Sequence, residues 1–274
     1  MTAAEPIMFP KILHQTWKTV DLSGVPEFEM CSESWRRHHP DYEYRLWDDT
    51  ANREFVGERF EWYLETWLSF DKNIKRLDSI RYMWMHQYGG IYADLDMECL
   101  QNLKPLIDEH RDREILLFCD FDRDGSCLSV NPALIVSRPG SKFWRNILEY
   151  AGEHSDRFVT HCTGPDALGV VARQHREEFD IALLDQNELI VRKSKKDVYR
   201  RIPGNENDWE TYRDVYCTTE KPAKYYEDKK RKYVADWHGT PAQYRWHNEY
   251  GKWGARIQRA WKGAPSARKW QFWR

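Results

Sequence analysis

No stretch of the chain approaches the ~18–20 consecutive apolar residues that a membrane-spanning helix needs. The first ten residues, Met1 to Pro10, have neither a basic start nor an apolar run of leader length, so either a cytoplasmic protein or one from which an anchor has been removed is expected. An excess of one charge is missing too: 42 basic against 44 acidic side chains leave −2, which argues against a general nucleic-acid binder. Cysteine is sparse and scattered. None of Cys31, Cys99, Cys119, Cys127, Cys162 and Cys217 forms a C-x-x-C pair. That disfavours a zinc ribbon or a thioredoxin-type centre and suits buried thiols in a reducing compartment. No G-x-G-x-x-G follows the first expected strand, so a dehydrogenase is not expected. There is no internal repeat and no long linker. At 274 residues the chain fits one large domain with a real core, expected over residues 1–250, and an appended tail, 251–274.

What the chain does have is aromatic surface. Its 14 Trp and 15 Tyr supply flat faces with a polar edge, suited to sugars and nucleobases, although most of them belong to the core. Strands are expected at Lys11–Trp17, Tyr42–Trp47, Ile91–Ala93, Ile115–Cys119, Pro132–Val136, Ile181–Leu184 and Lys232–Trp237. Helices are expected at Cys31–His39, Asn52–Phe70, Asn73–Tyr88, Ser141–Gly152 and Gly164–His175. The clearest is Asn73–Tyr88, where Ile74, Leu77, Ile80 or Arg81, Trp84 and Tyr88 recur at helical spacing and Gly89-Gly90 ends the run. Alternating strands and helices point to an α/β layer fold.

The chemistry concentrates after that helix. Gly89-Gly90-Ile91-Tyr92-Ala93-Asp94-Leu95-Asp96 is an apolar strand that ends in two carboxylates. If the strand continues through them, Asp94 and Asp96 face the same side and share one site. The end of a strand in an open α/β sheet is also where ligands bind. Such oxygens suit Mn²⁺ or Mg²⁺ holding a diphosphate, whose charge grows as a sugar leaves it. Asp78 and Arg81 are three apart on one helix face. They are either a surface ion pair or a site in which Arg81 reaches a phosphate or sugar oxygen and Asp78 the sugar hydroxyls. A lone D-x-D is weak, and Asp120-Phe-Asp122 and Asp122-Arg-Asp124 read as loop carboxylates.

Taken together, His14-Gln-Thr-Trp17, the run from Trp35 to Asp49 with P-D-Y-E-Y-R-L-W-D-D, Asp78-x2-Arg81 and Gly89 to Asp96 resemble glycosyltransferase family 32. The resemblance covers roughly residues 9 to 100 and thins downstream. The same core is similar to that of yeast initiating mannosyltransferases, capsular polysaccharide transferases and the glucosylating domain of large clostridial toxins. It implies a GT-A fold: a Rossmann-like nucleotide-binding sheet with flanking helices, here followed by a basic, helical C-terminal tail. It implies a retaining hexosyltransferase that moves a sugar from a UDP- or GDP-sugar to a glycan or glycolipid acceptor. Trp17 would stack on the nucleobase, with Gln15 and Tyr92 beside the donor. Asp78 and Arg81 would hold its sugar, and Asp94 and Asp96 would serve ribose and metal. His238 would be a third metal ligand or a diphosphate contact. Asn131, Gly164 and Asp166 would lie on the acceptor side, with a backbone amide at the start of the Gly164 helix facing a substrate oxygen.

No carboxylate is placed as a nucleophile beneath the sugar, so same-face transfer is favoured over double displacement. Two further readings compete: a toxin-like protein glycosyltransferase, and a non-catalytic carbohydrate-binding protein with no need for Asp78, Arg81, Asp94 and Asp96 together. The tail from Gly251 to Arg274 has seven Lys and Arg, no acid, and Trp253, Trp261, Trp270, Phe272 and Trp273. It is either a peripheral membrane contact or a C-terminal helix packed on the core.

Overall fold

The computed structural model describes residues 8–23, 26–99, 101–121, 125–191 and 217–218. The expected strand Lys232–Trp237, His238 and the tail 251–274 lie outside the described residues.

The main sheet has six strands: β1 (Ile12–Thr16), β2 (Glu43–Trp47), β3 (Gly90–Ala93), β5 (Ile115–Phe121), β6 (Cys127–Ser137) and β7 (Ile181–Asp185). Their order is β2-β1-β3-β6-β5-β7. β1 runs parallel to β2 and β3, β6 runs antiparallel to β3 and β5, and β7 is parallel to β5. A small second sheet joins β4 (Glu98–Cys99), β8 (Ile190–Val191) and β9 (Cys217–Thr218). Alternate residues of the main sheet face opposite cores. Tyr92, Ile115, Leu117 and Cys119 face one cluster, which includes Tyr82, Trp84 and Trp144. Ile91, Ala93, Leu116 and Phe118 face the other, with Leu13 and Trp35. The first core is covered by α4 (Asn73–Gln87), α6 (Phe143–Glu153) and α8 (Pro165–Gln174); Trp35 of α1 (Pro26–His38) and Ile107 of α5 (Lys104–Glu109) belong to the second.

The expected helix Asn52–Phe70 is two helices, α2 (Asp49–Arg59) and α3 (Glu61–Ser69). Phe60 breaks it: the residue adopts φ −130° and ψ 42° and drives its ring into the core. α7 (Val159–Cys162) and α9 (Gln186–Leu189) are single turns.

The turn from α4 into β3 depends on its two glycines, both at positive φ (63° and 91°). A Cβ on Gly90 would sit 2.4 Å from the Ile12 carbonyl oxygen, and one on Gly89 would sit 2.7 Å from the Ser137 oxygen. The chain therefore passes directly against β1 and β6. His14 locks the same corner. Trp47 Nε1–H donates to His14 Nδ1 at 3.1 Å, which leaves Nε2–H to donate to the Gly89 oxygen at 3.1 Å. The imidazole is neutral and lies beside Trp47 and Trp84, its ring nearly parallel to both; burial, helped by the nearby Arg45 charge, pushes its pKa down to about 3. The five described cysteines, Cys31, Cys99, Cys119, Cys127 and Cys162, are buried free thiols. Among the described residues no helix is long and apolar enough to cross a membrane.

Candidate functional site

Helix α4 runs back along β3, so the N-terminal half of the helix lies beside the C-terminal end of the strand. There Arg81 joins three elements. Its Nη2–H donates to Asp78 Oδ1 at 2.5 Å, one turn earlier in α4. Nη1 donates to Asp94 Oδ1 at 3.2 Å and to the Pro132 carbonyl of β6 at 2.8 Å. Its guanidinium also lies over the Tyr92 ring, 4.9 Å from the centroid. Asp78 and Arg81 are both buried, so the surface-pair reading does not apply. Both of its terminal nitrogens donate to the protein. Its Nε–H is buried without an acceptor.

Asp94 is held on every side but one. Tyr92 donates its hydroxyl to the same Oδ1 at 2.6 Å. Gln15 Nε2 donates to the Asp94 backbone oxygen at 3.3 Å, while Tyr44 donates to Gln15 Oε1 at 3.0 Å. Both recorded side-chain bonds fall on Oδ1, and the carboxylate is 34% exposed, which leaves its other oxygen toward the outside. Tyr92 and Gln15 thus brace Asp94 from buried positions. The strand does not continue through the D-x-D. Asp94 N–H makes a last bond to the Ala133 oxygen at 2.8 Å, and Met97 N–H turns back to the Asp94 oxygen at 3.0 Å. A tight turn, not strand alternation, therefore sets Asp94 and the half-buried Asp96 near one another. Leu95 between them packs into a small cluster with Trp17, Leu22 and Phe28. Trp17 follows the end of β1 and is buried edge-on against Phe28, 4.7 Å between centroids.

A bulge in β6 carries the other wall. Leu117 faces Ile135 and Phe118 faces Asn131, so residues 132–134 have no partner on β5. Asn131 Oδ1 accepts the Ala133 amide at 3.0 Å and shapes this excursion. It sends the Pro132 carbonyl to Arg81 and the Ala133 carbonyl to Asp94. Thr163, at the end of α7, donates to Asp78 Oδ2 at 3.0 Å, and Tyr82 donates to the Thr163 carbonyl at 2.6 Å. Gly164 caps α8 in extended conformation. Its own amide bonds to the Val159 oxygen at 2.9 Å. A Cβ there would sit 3.0 Å from Thr160 Cα, a tighter reason for glycine. Asp166 is partly exposed and pairs with His161 Nδ1 at 3.2 Å. Sequence reasoning missed Tyr82, Tyr44 and the Pro132 carbonyl. A carbonyl has no residue-type signature, and the two tyrosines read as core.

The electrostatics follow from burying Asp78 and Arg81 beside the partly exposed Asp94. Burial raises Asp78 to about 6, against the pull of Arg81 and with a push from Asp94. Burial opposes the charge on Arg81, yet Tyr92, Asp94 and Asp78 hold its pKa above the ordinary value, so it stays a cation. Burial also holds the Tyr92 phenol far above its usual value, and it remains a donor.

Among the described residues no three His, Cys, Asp or Glu side chains gather as a metal cage. Two partly exposed carboxylates on one turn do fit a hard divalent cation that takes its remaining ligands from water and phosphate. His238 lies outside the described residues.

Residues 26–112 match the family described as "Glycosyltransferase sugar-binding region containing DXD motif". Over 184 residues the chain is 34% identical to the mannosyl phosphorylinositol ceramide synthase SUR1 of Saccharomyces cerevisiae, covering 63% of this chain and 44% of that protein. It is 46% identical over 99 residues to inositol phosphoceramide mannosyltransferase 3 of Schizosaccharomyces pombe, covering 36% of this chain and 27% of that one. The match thus spans less than half the length of either relative. Among solved structures, the PaToxG glycosyltransferase is similar with a TM-score of 0.47 and 16% identity, over 62% of this chain and 71% of that one.

Proposed function

We propose that the chain, whose residues 26–112 match the family described as "Glycosyltransferase sugar-binding region containing DXD motif", is a GT-A-type hexosyltransferase. It moves a sugar from a UDP- or GDP-sugar to a glycolipid headgroup, with retention and with Mn²⁺ or Mg²⁺. The observation that carries this reading is the buried Asp78–Arg81–Asp94 network, which presents one carboxylate outward at the end of β3. The names of the two yeast relatives favour mannose as the sugar and an inositol-phosphate sphingolipid as the acceptor.

Asp94 and Asp96 would hold the divalent cation, which when bound offsets charge on the leaving diphosphate. Arg81 and Tyr92 fix the Asp94 carboxylate in one orientation, so little reorganisation accompanies donor binding. Asp78, oriented from both oxygens by Arg81 and Thr163, faces the donor sugar. In same-face transfer the acceptor oxygen bonds to the anomeric carbon as the bond to the phosphate breaks, and the hydroxyl proton leaves with that phosphate. Asn131, Gly164 and Asp166 frame the acceptor side through the bulge and the α7–α8 corner.

The test is nucleotide release from a panel of UDP- and GDP-sugars with Mn²⁺ or Mg²⁺, with Asp94→Asn/Asp96→Asn beside the native protein. Metal-dependent release from one donor, lost in the variant, supports the reading. No turnover together with no metal-dependent nucleotide binding overturns it in favour of a carbohydrate-binding protein.

A further inference from the structure

Six large hydrophobic side chains stand exposed among the described residues: Met8, Val20, Trp62, Leu68, Leu128 and Phe158. Four of the six lie at one end of the molecule, the end at which β1 and β3 finish and Asp94 opens outward. Val20, 61% exposed, lies four residues past the end of β1. Leu128, 55% exposed, lies six residues before Leu134, which pairs with Ala93 in the antiparallel β3–β6 ladder. Leu128 is therefore beyond the last residue of β3.

Leu68 and Phe158 reach the same end by another route. Leu68, 41% exposed, is at the end of α3, beside the start of α4, where Arg76 caps the Leu68 and Phe70 carbonyls. Phe158, 64% exposed, precedes α7 with Lys72 Nζ 5.0 Å from its ring centroid. Lys75 Nζ bonds to the Ser155 oxygen at 2.6 Å and ties the two segments together. From Phe158 it is one short helix to Thr163, the residue that holds Asp78. Met8 lies ahead of β1, and Trp62 sits at the opposite end of α3, under Arg145.

We infer that this end of the folded domain is a bilayer-docking face. Leu68, Leu128 and Phe158 enter the acyl boundary, and the mouth of the site turns to the lipid headgroups. This rests on the lipid-acceptor reading given above. Cations flank the apolar side chains: Lys72 at Phe158, Arg173 bonded to the Leu128 carbonyl at 3.1 Å, and Lys18 near Val20. Asp21, Asp71 and Asp156 lie at the same end, with Asp71 paired to Lys75. The face therefore works by apolar insertion flanked by cations rather than by net positive charge. A transferase whose acceptor is a lipid headgroup needs its site within a headgroup's length of the membrane, and these residues put it there.

The experiment is flotation of the full chain with vesicles of phosphatidylcholine, with and without added phosphatidylinositol. Leu68→Glu/Leu128→Glu/Phe158→Glu is compared with Met8→Glu/Trp62→Glu. All five positions are exposed, and thermal unfolding checks that both variants fold. The native chain and the second variant should bind, more tightly with phosphatidylinositol, and the first variant should bind at least about tenfold more weakly. Absence of binding by the native chain, or equal binding by the first variant, overturns the inference. Donor turnover is measured separately in solution. A chain that binds vesicles but neither releases nucleotide from any donor nor binds nucleotide with metal would sink the transferase reading and leave docking standing.

Discussion

Arg81 is the residue through which the site is held. Its planar fork meets two carboxylates and a carbonyl at once, a geometry that a lysine ammonium cannot reproduce. Arg81→Lys should keep the charge yet release Asp94, and nucleotide release should fall about 100-fold or more, as misplacement by an ångström costs. Unfolding curves would separate that loss from a loss of fold. Thr163 acts one step further out. Thr163→Val removes the hydroxyl that holds Asp78 and leaves a buried carboxylate oxygen without its donor, a cost of about 1–3 kcal/mol. Because Asp78 is assigned to the donor sugar, the change should appear chiefly as a raised KM for the donor; an unchanged KM would detach Thr163 from the site. Much of this was legible beforehand as residue types: Asp78, Arg81, Asp94 and Asp96 stand out in the sequence. What was not legible was direction. That Arg81 faces inward depends on the Pro132 carbonyl and on the burial of α4, and neither is written in the spacing of an acid and a base.

At the scale of elements, the turn from α4 into β3 is the part least able to change. Gly90→Ala would put a methyl 2.4 Å from the Ile12 oxygen at a positive φ, and the protein should lose more than about 2 kcal/mol of stability. Gly57 in α2 is the contrast, since a Cβ there meets nothing within 4 Å. Gly57→Ala should gain roughly 0.5–1 kcal/mol, and denaturant midpoints would measure both. His14 joins β1 to β2 and to this turn in its neutral form. Its folded pKa, about 3, lies below the ordinary value of 6.5. The unfolded chain thus binds the extra proton between those values, and stability falls as pH drops from 6.5 toward 3. His39, lowered to about 4 mainly by burial, acts in the same direction. In His14→Phe the slope of stability against pH should be shallower over this range, and an unchanged slope would refute the buried-neutral assignment. The strands β1, β2 and β3 and the helix α4 could be read from apolar periodicity and the two glycines. The break at Phe60 could not, because a phenylalanine serves a helix face as readily as a wedge. Nor could the bulge at 132–134, where pairing is decided by a neighbouring strand.

Across the whole molecule, the α/β layering follows from alternating elements, and the sheet order places β1 and β3 side by side, between the edge strand β2 and β6. The small β4-β9-β8 sheet escaped notice because two-residue strands leave no pattern. If the metal reading is right, stripping divalent ions with a chelator should abolish nucleotide release and leave the unfolding temperature nearly unchanged, since the cation would be held by two partly exposed carboxylates while Leu95 and Met97 keep the turn packed. Recovery on adding Mn²⁺ or Mg²⁺ would complete the test. The contact of Gly90 with Ile12 then has a further meaning. Two backbones that touch with no side chain between them have no room to slide, so the offset from the Trp17 end of β1 to the Asp94 end of β3 is a fixed length. The protein carries a ruler: under the proposed function it would measure the span from nucleobase to diphosphate, and a change of donor would have to come from the side chains at either end.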